Sequence, residues 1–346
     1  MTRARRRSYP VTAYSAANAL GRDTASVLAR LRDGRAGLTP APEGTPFEAL
    51  CGTVEGPLPE PPEAVQEFDS RNNRIAYLAL ADIEAPLRDA IERWGAARVG
   101  LAVGSSTGSM LEAEQAYTQY HETGSTPAGF NFLRHATLDA LVHPLCTHTG
   151  IEGPATAIST ACSSSAKVFA SAMRWLDLDV VDAVLVGGVD SLCQMTLRGF
   201  KALSALSNGS ARPFGADRDG INIGEGGSFL LVERSGAGPR LLGVGESADA
   251  HHMSAPDPTG GGARMAMERA LSAAGIAPEQ IEHVNAHGTG THLNDTAEAN
   301  AIKIVLGTDV PCVSTKAYTG HTLGAAAALE MAFSACAIEE GFLPPA

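Results

Sequence analysis

Three features of the sequence predict an α/β fold with parallel, buried sheets. Short β-branched or apolar runs recur along the chain, stretches of helical periodicity separate several of them, and glycine-rich turns follow the runs. Composition agrees. Of 346 residues, 44% are hydrophobic and 37 are glycine, with no long biased tract, as in ordinary globular α/β proteins.

The runs 8–14, 99–103, 155–159, 183–186, 228–233, 240–246, 281–286 and 312–315 read as strands. Across 70–94, Ile75, Leu78, Ile83, Leu87, Ile91 and Trp94 recur at near-helical spacing behind the capping residues Asp69 and Ser70. Ser163–Leu176, Gly262–Ala274 and Asp295–Leu306 also read as helices, the first opening on serines that suit an N-terminus. Leu323 to Ile338 is a small-residue, tightly packed helix; it carries Glu330 and is too short to span a membrane. The Pro-, Gly- and Glu-rich stretch 38–65 is an irregular excursion. "RSGAGPR" at 234–240 is the best internal boundary, dividing the chain into 1–235 and 236–346.

The net charge of −12 argues against a generic nucleic-acid binder, which needs a positive surface. The one basic run, "TRARRR", reads as a solvated terminus, and the polar stretch behind it is not a signal-peptide core. Six cysteines (51, 146, 162, 193, 312 and 336) form no CxxC pair, which fits a reduced, cytoplasmic setting.

Gly104-Ser105-Ser106-Thr107-Gly108 matches the nucleophile elbow G-x-S-x-G, but no second hydrolase motif joins it, and a plain glycine turn explains it as well. His283, His287 and His292 lie close in sequence, yet Gly288 and Gly290 argue for a strand end and turn rather than a helical zinc site. For Cys162 two local readings stay open. Most free cysteines are buried and inert. A sulfur between a strand ending near Ile158 and a helix starting near Ser163 sits instead at the positive end of a helix dipole, which favours thiolate and leaves backbone N–H groups for an oxyanion. His287, with Thr289 and Thr291 beside it, and Lys316 with His321 occupy two further glycine-rich turns after strands.

"STACSSSA", "RPFGADRDGINIGEGG", "HGTGTHLND" and "STKAYTGHTLGAA" together resemble the β-ketoacyl-[acyl carrier protein] synthases of the elongating Cys-His-His type. The similarity runs in order from about residue 8 to the end. "FDSRNNR" and "GVGESADAHHMSAPDP" look more like the synthases of aryl polyene pigment clusters. The resemblance implies a thiolase-like fold, two similar α/β halves in a five-layered αβαβα core: 1–235 carries the nucleophile and 236–346 both histidines. It implies decarboxylative Claisen condensation, with Cys162 taking the acyl chain and His287 and His321 serving the malonyl thioester. Lys316 and Glu298 match a supporting charge pair, and Thr289 and Thr291 match positions that hold the phosphopantetheine arm. Arg71 and Arg74 fall where such enzymes place cations that dock the carrier protein. The expected partners are acyl carrier protein and a second subunit, identical or related; no metal or redox cofactor is expected.

There are departures from the family pattern. Asn294 stands where glycine is usual, a change that a turn tolerates. The family continues past "GFLPPA" into further strands and a Gly-Phe-Gly-Gly loop over the cysteine, so the C-terminal half reads as truncated, and the chain as written is expected to be poorly soluble and slow. The alternative function is a non-catalytic scaffold subunit of a condensing-enzyme dimer.

Overall fold

The computed structural model, which describes residues 8–252 and 255–345, places helices on both faces of a mixed sheet. The run 2–7, with its arginines, lies outside the described residues. The strands are β1 (Tyr9–Tyr14), β2 (Ala17–Asn18), β3 (Leu38–Pro40), β4 (Leu50–Gly52), β5 (Val99–Gly104) and β6 (Ala155–Ile158). They continue with β7 (Ala183–Asp190), β8 (Ile223–Gly224), β9 (Gly226–Glu233), β10 (Arg240–Leu241), β11 (Val284–Asn285) and β12 (Cys312–Val313). The helices begin with α1 (Thr24–Arg32), α2 (Arg71–Leu80), α3 (Glu84–Trp94), α4 (Met110–Thr123), α5 (Phe132–His135) and α6 (Asp139–Thr149). They end with α7 (Ser164–Asp177), α8 (Gln194–Ala202), α9 (Gly261–Ala274), α10 (His292–Leu306), α11 (Lys316–Thr319) and α12 (Ala326–Glu340).

The main sheet runs β10-β1-β9-β7-β5-β6. β6, β5 and β7 are parallel, as expected, but β9, β1 and β10 add antiparallel. Period-two alternation assigns each face. Leu101, Val103, Leu185 and Leu231 meet α2, α3 and α6 on one side. Ala102, Val184, Val186 and Leu230 meet α7 and α12 on the other. Both faces are covered, so the central strands are continuous apolar runs.

Several expected elements change, the runs 281–286 and 312–315 shortening to β11 and β12. The helix foreseen over 70–94 breaks into α2 and α3 around Asp82; Ser70 caps α2 by accepting from the Asn73 N–H at 3.1 Å. The strand foreseen over 240–246 pairs only at 240–241. Beyond that, Gly243 and Gly245 lie against α9, where an added Cβ would come within 2.6 Å of the Ala274 nitrogen and 1.9 Å of the Ala266 oxygen. Contact with the helix takes the place of a ladder. The excursion 38–65 contains the short β3 and β4, which join β8.

Candidate active site

Cys162 stands just before α7, in a turn that the sequence shapes closely. Ala161 takes a left-handed φ of 53°, a conformation costly for a residue with a side chain. Ser164 holds the turn: its hydroxyl donates to the Ala161 carbonyl at 2.6 Å and accepts the Thr160 N–H at 2.9 Å. Cys162 as a residue is half-buried.

His287 follows β11. Its backbone N–H and that of Gly288 each donate to one oxygen of Glu298, both at 2.7 Å. Asp295 holds the next turn, accepting from the N–H groups of Thr289 and Gly290 and from Phe214. A Cβ at Gly288 (φ +35°) would lie 2.5 Å from the Ser314 Cβ, so the close approach of this turn to the segment after β12 requires glycine. His321 follows α11, and its Nδ1 accepts the Leu323 N–H at 3.0 Å. That contact leaves the proton on Nε2, which is buried without a hydrogen-bonding partner among the described residues.

These turns converge. The Cys162 sulfur and one nitrogen from each of His287 and His321 all lie within 4.8 Å of one another, and the two imidazoles meet edge to face at 5.1 Å. Burial, then the Lys316 cation, pushes the His287 pKa down to about 3 and holds His321 well below the usual histidine range. Both rings are therefore neutral at physiological pH. The site can supply a sulfur nucleophile, neutral N–H donors and a nearby buried cation, a set suited to stabilising negative charge on oxygen.

Several expectations need correction. The helix terminus does not decide the thiol's ionisation. Burial pushes the Cys162 pKa up, while Lys316 and the residue's own amide pull it partly back. Lys316 pairs with Glu330 rather than Glu298; Glu298 is spent on the His287 turn. Arg71 and Arg74 are not free docking cations. Arg71 is clamped on the wholly buried Glu225, its Nε 2.8 Å from the carboxylate. Arg74 is held by Asp69 at 2.6 Å and by Glu60 at 2.9 Å. In the G-x-S-x-G stretch the middle hydroxyl, Ser106 Oγ, is buried with no partner among the described residues, so no base is in reach to activate it. Thr289 and Thr291 do come together, hydroxyl to hydroxyl at 2.9 Å. Sequence reasoning missed Glu330, Asp295 and Asp190. An acid inside the otherwise apolar α12 was the available signal for Glu330.

Two family models match in chain order: "Beta-ketoacyl synthase, N-terminal domain" over residues 10–237, and "Beta-ketoacyl synthase, C-terminal domain" over 240–346. The chain belongs to the beta-ketoacyl synthase family. This synthase is an acyltransferase with a thiolase-like α/β fold. It is 33% identical to Nodulation protein E of Rhizobium meliloti (strain 1021), with 94% of this chain and 85% of the relative covered. It is also 33% identical to 3-oxoacyl-[acyl-carrier-protein] synthase 2 of Vibrio cholerae, over 78% of this chain and 70% of the relative. Among solved structures, the ketosynthase ApeO in complex with its chain length factor ApeC, from Xenorhabdus doucetiae, superposes with a TM-score of 0.92 at 38% identity. That match covers 97% of this synthase and 86% of the matched chain of the complex. No helix among the described residues is long and apolar enough to cross a membrane.

Proposed function

We propose that this synthase is a 3-oxoacyl-[acyl carrier protein] synthase catalysing decarboxylative Claisen condensation, in an aryl polyene-type pathway with a related subunit as partner. The observation that carries the reading is the gathering of one cysteine sulfur and two neutral imidazoles within 4.8 Å. Cys162 attacks the acyl thioester on a carrier protein; a new C–S bond forms, and the carrier's thiol leaves with the proton. Malonyl on a second carrier protein then loses carbon dioxide, and the electron pair of the broken C–C bond passes to the thioester oxygen as an enolate. His321, through Nε2–H, and His287 stabilise that oxygen, with Lys316 adding positive potential. The enolate carbon attacks the acyl-cysteine, a C–C bond forms, and Cys162 leaves as thiolate.

Thr289 and Thr291 hold the phosphopantetheine arm in this reading. No metal or redox cofactor takes part. With Nδ1 occupied by Leu323, His321 Nε2 carries its proton and has no lone pair for a metal ion. The similarity to a ketosynthase solved with a chain length factor supports a paired subunit. So does β6, which ends the sheet with its outer backbone edge unpaired among the described residues. A purely non-catalytic scaffold is the weaker reading, because nucleophile and both histidines are present and assembled.

Incubation with an acyl-carrier thioester, followed by intact mass and peptide mapping, tests the assignment. One acyl group on Cys162, lost in Cys162→Ser, is expected. Acylation of another cysteine, or none, overturns it.

A further inference from the structure

Asp190, the last residue of β7, carries a carboxylate that the reaction above does not use. It is wholly buried and has no ion-pair partner among the described residues, a costly arrangement unless hydrogen bonds replace the lost water. They do. One oxygen accepts the hydroxyls of Ser105 and Thr107 at 2.8 and 2.7 Å and the Thr107 N–H at 2.8 Å. The other accepts the Ser106 N–H at 2.9 Å and, from 134 residues away in sequence, the Gly324 N–H at 2.6 Å. Burial pushes the Asp190 pKa up, while the donors pull it back.

The Gly324 contact leads to the candidate active site. Leu323, one residue earlier, is held at a left-handed φ of 52°, and its N–H is the group that occupies His321 Nδ1. A Cβ on Gly324 would lie 2.6 Å from the Ser106 nitrogen and 2.7 Å from the Asp190 carboxylate, so the loop reaches the acid only as glycine. One carboxylate thus ties the turn after β5 to the turn after His321. We infer that Asp190 is a positioning residue for His321: by holding Gly324 it keeps Leu323 left-handed and its N–H on Nδ1, so that Nε2–H is presented to the malonyl thioester. The inference rests on the condensation reading.

Asp190→Asn tests it, because the carboxamide sets an NH2 group against N–H donors. Its kcat for malonyl-thioester decarboxylation should fall about tenfold or more, with KM and the acylation of Cys162 each changed less than about threefold. Nitrogen-15 NMR of His321, assigned by its loss in His321→Ala, should show a single Nε2–H tautomer in the wild type and a tautomer mixture in Asp190→Asn. Ser105→Ala removes a different donor from the same carboxylate and should keep both the tautomer and the decarboxylation rate. Equal loss of both half-reactions in Asp190→Asn, an unchanged tautomer there, or the same effect from Ser105→Ala overturns the inference. A tautomer mixture in the wild type also overturns it, and that measurement stands even where Asp190→Asn fails to fold. A wild type that acylates but decarboxylates nothing refutes the condensation reading, while the tautomer comparison still decides the role of Asp190.

Discussion

At Cys162 opposing influences act on one thiol. Burial raises its pKa above the ordinary value, and the Lys316 cation is the largest influence pulling it back. Iodoacetamide alkylation of Cys162 should therefore keep accelerating as pH rises past the ordinary thiol range instead of reaching a plateau below it. Lys316→Met removes the cation and moves the profile further alkaline. At a fixed pH of about 8 the alkylation rate of Cys162 should therefore fall in Lys316→Met relative to the wild type. Glu330, left without its cation, changes the sign of nothing: ionised, it raises the thiol further, and protonated, it is silent. Mapped alkylation rates across pH, with circular dichroism to confirm folding, check this. An unchanged or faster rate in Lys316→Met would show that the cation does not act on the sulfur.

Among the elements, α7 presents the nucleophile, and its position depends on how closely its first turn lies on β5. At Gly104 an added Cβ would sit 2.4 Å from the Ser165 nitrogen and 2.6 Å from the Ser164 carbonyl carbon. Gly188 of β7 is as tight, 2.6 Å from the Ser165 Cβ. The end of β5 thus meets the helix backbone where only glycine fits, and Gly188 leaves room for the Ser165 side chain. Gly104→Ala should push the first turn of α7 away and carry Cys162 with it. Overpacking of this kind costs about 1–3 kcal/mol, so thermal denaturation should show a lower Tm, and acylation of Cys162 should slow along with it. A variant with wild-type Tm and acylation rate would mean that the turn shifts freely and that its placement is not set by this contact.

For the whole molecule, the main sheet ends on β6, and Ala155 on that strand is exposed. An unpaired edge strand is a ready template for another chain. Pairing along it would let an acidic protein of net charge −12 associate despite like-charge repulsion, since backbone hydrogen bonds and apolar contacts are short-ranged. Sedimentation of the synthase should give a species of at least two chains, and Ala155→Lys should shift it toward the mass of one. Unchanged assembly in that variant would place the interface elsewhere.

The sequence by itself determined the alternation of strands and helices, because each face of the sheet and each helix stripe leaves its own period in the chain. It also marked Cys162, His287 and His321, the first in a serine-rich turn between strand and helix and the histidines in glycine-rich turns, each within a motif shared with the synthases. The partner of each charge had to come from tertiary structure. Lys316 had acids in both directions, and only the packing of α11 on α12 selects Glu330 over Glu298. Arg71 and Arg74 read as exposed helix cations until Glu225, 154 residues away from Arg71, and the Asp69–Glu60 pair close on them. Asp190 has no local pattern at all, because its donors come from loops 83 and 134 residues distant. The protonation of the site was decided there too: a thiol raised and two imidazoles lowered are products of burial, and burial belongs to the folded chain as a whole.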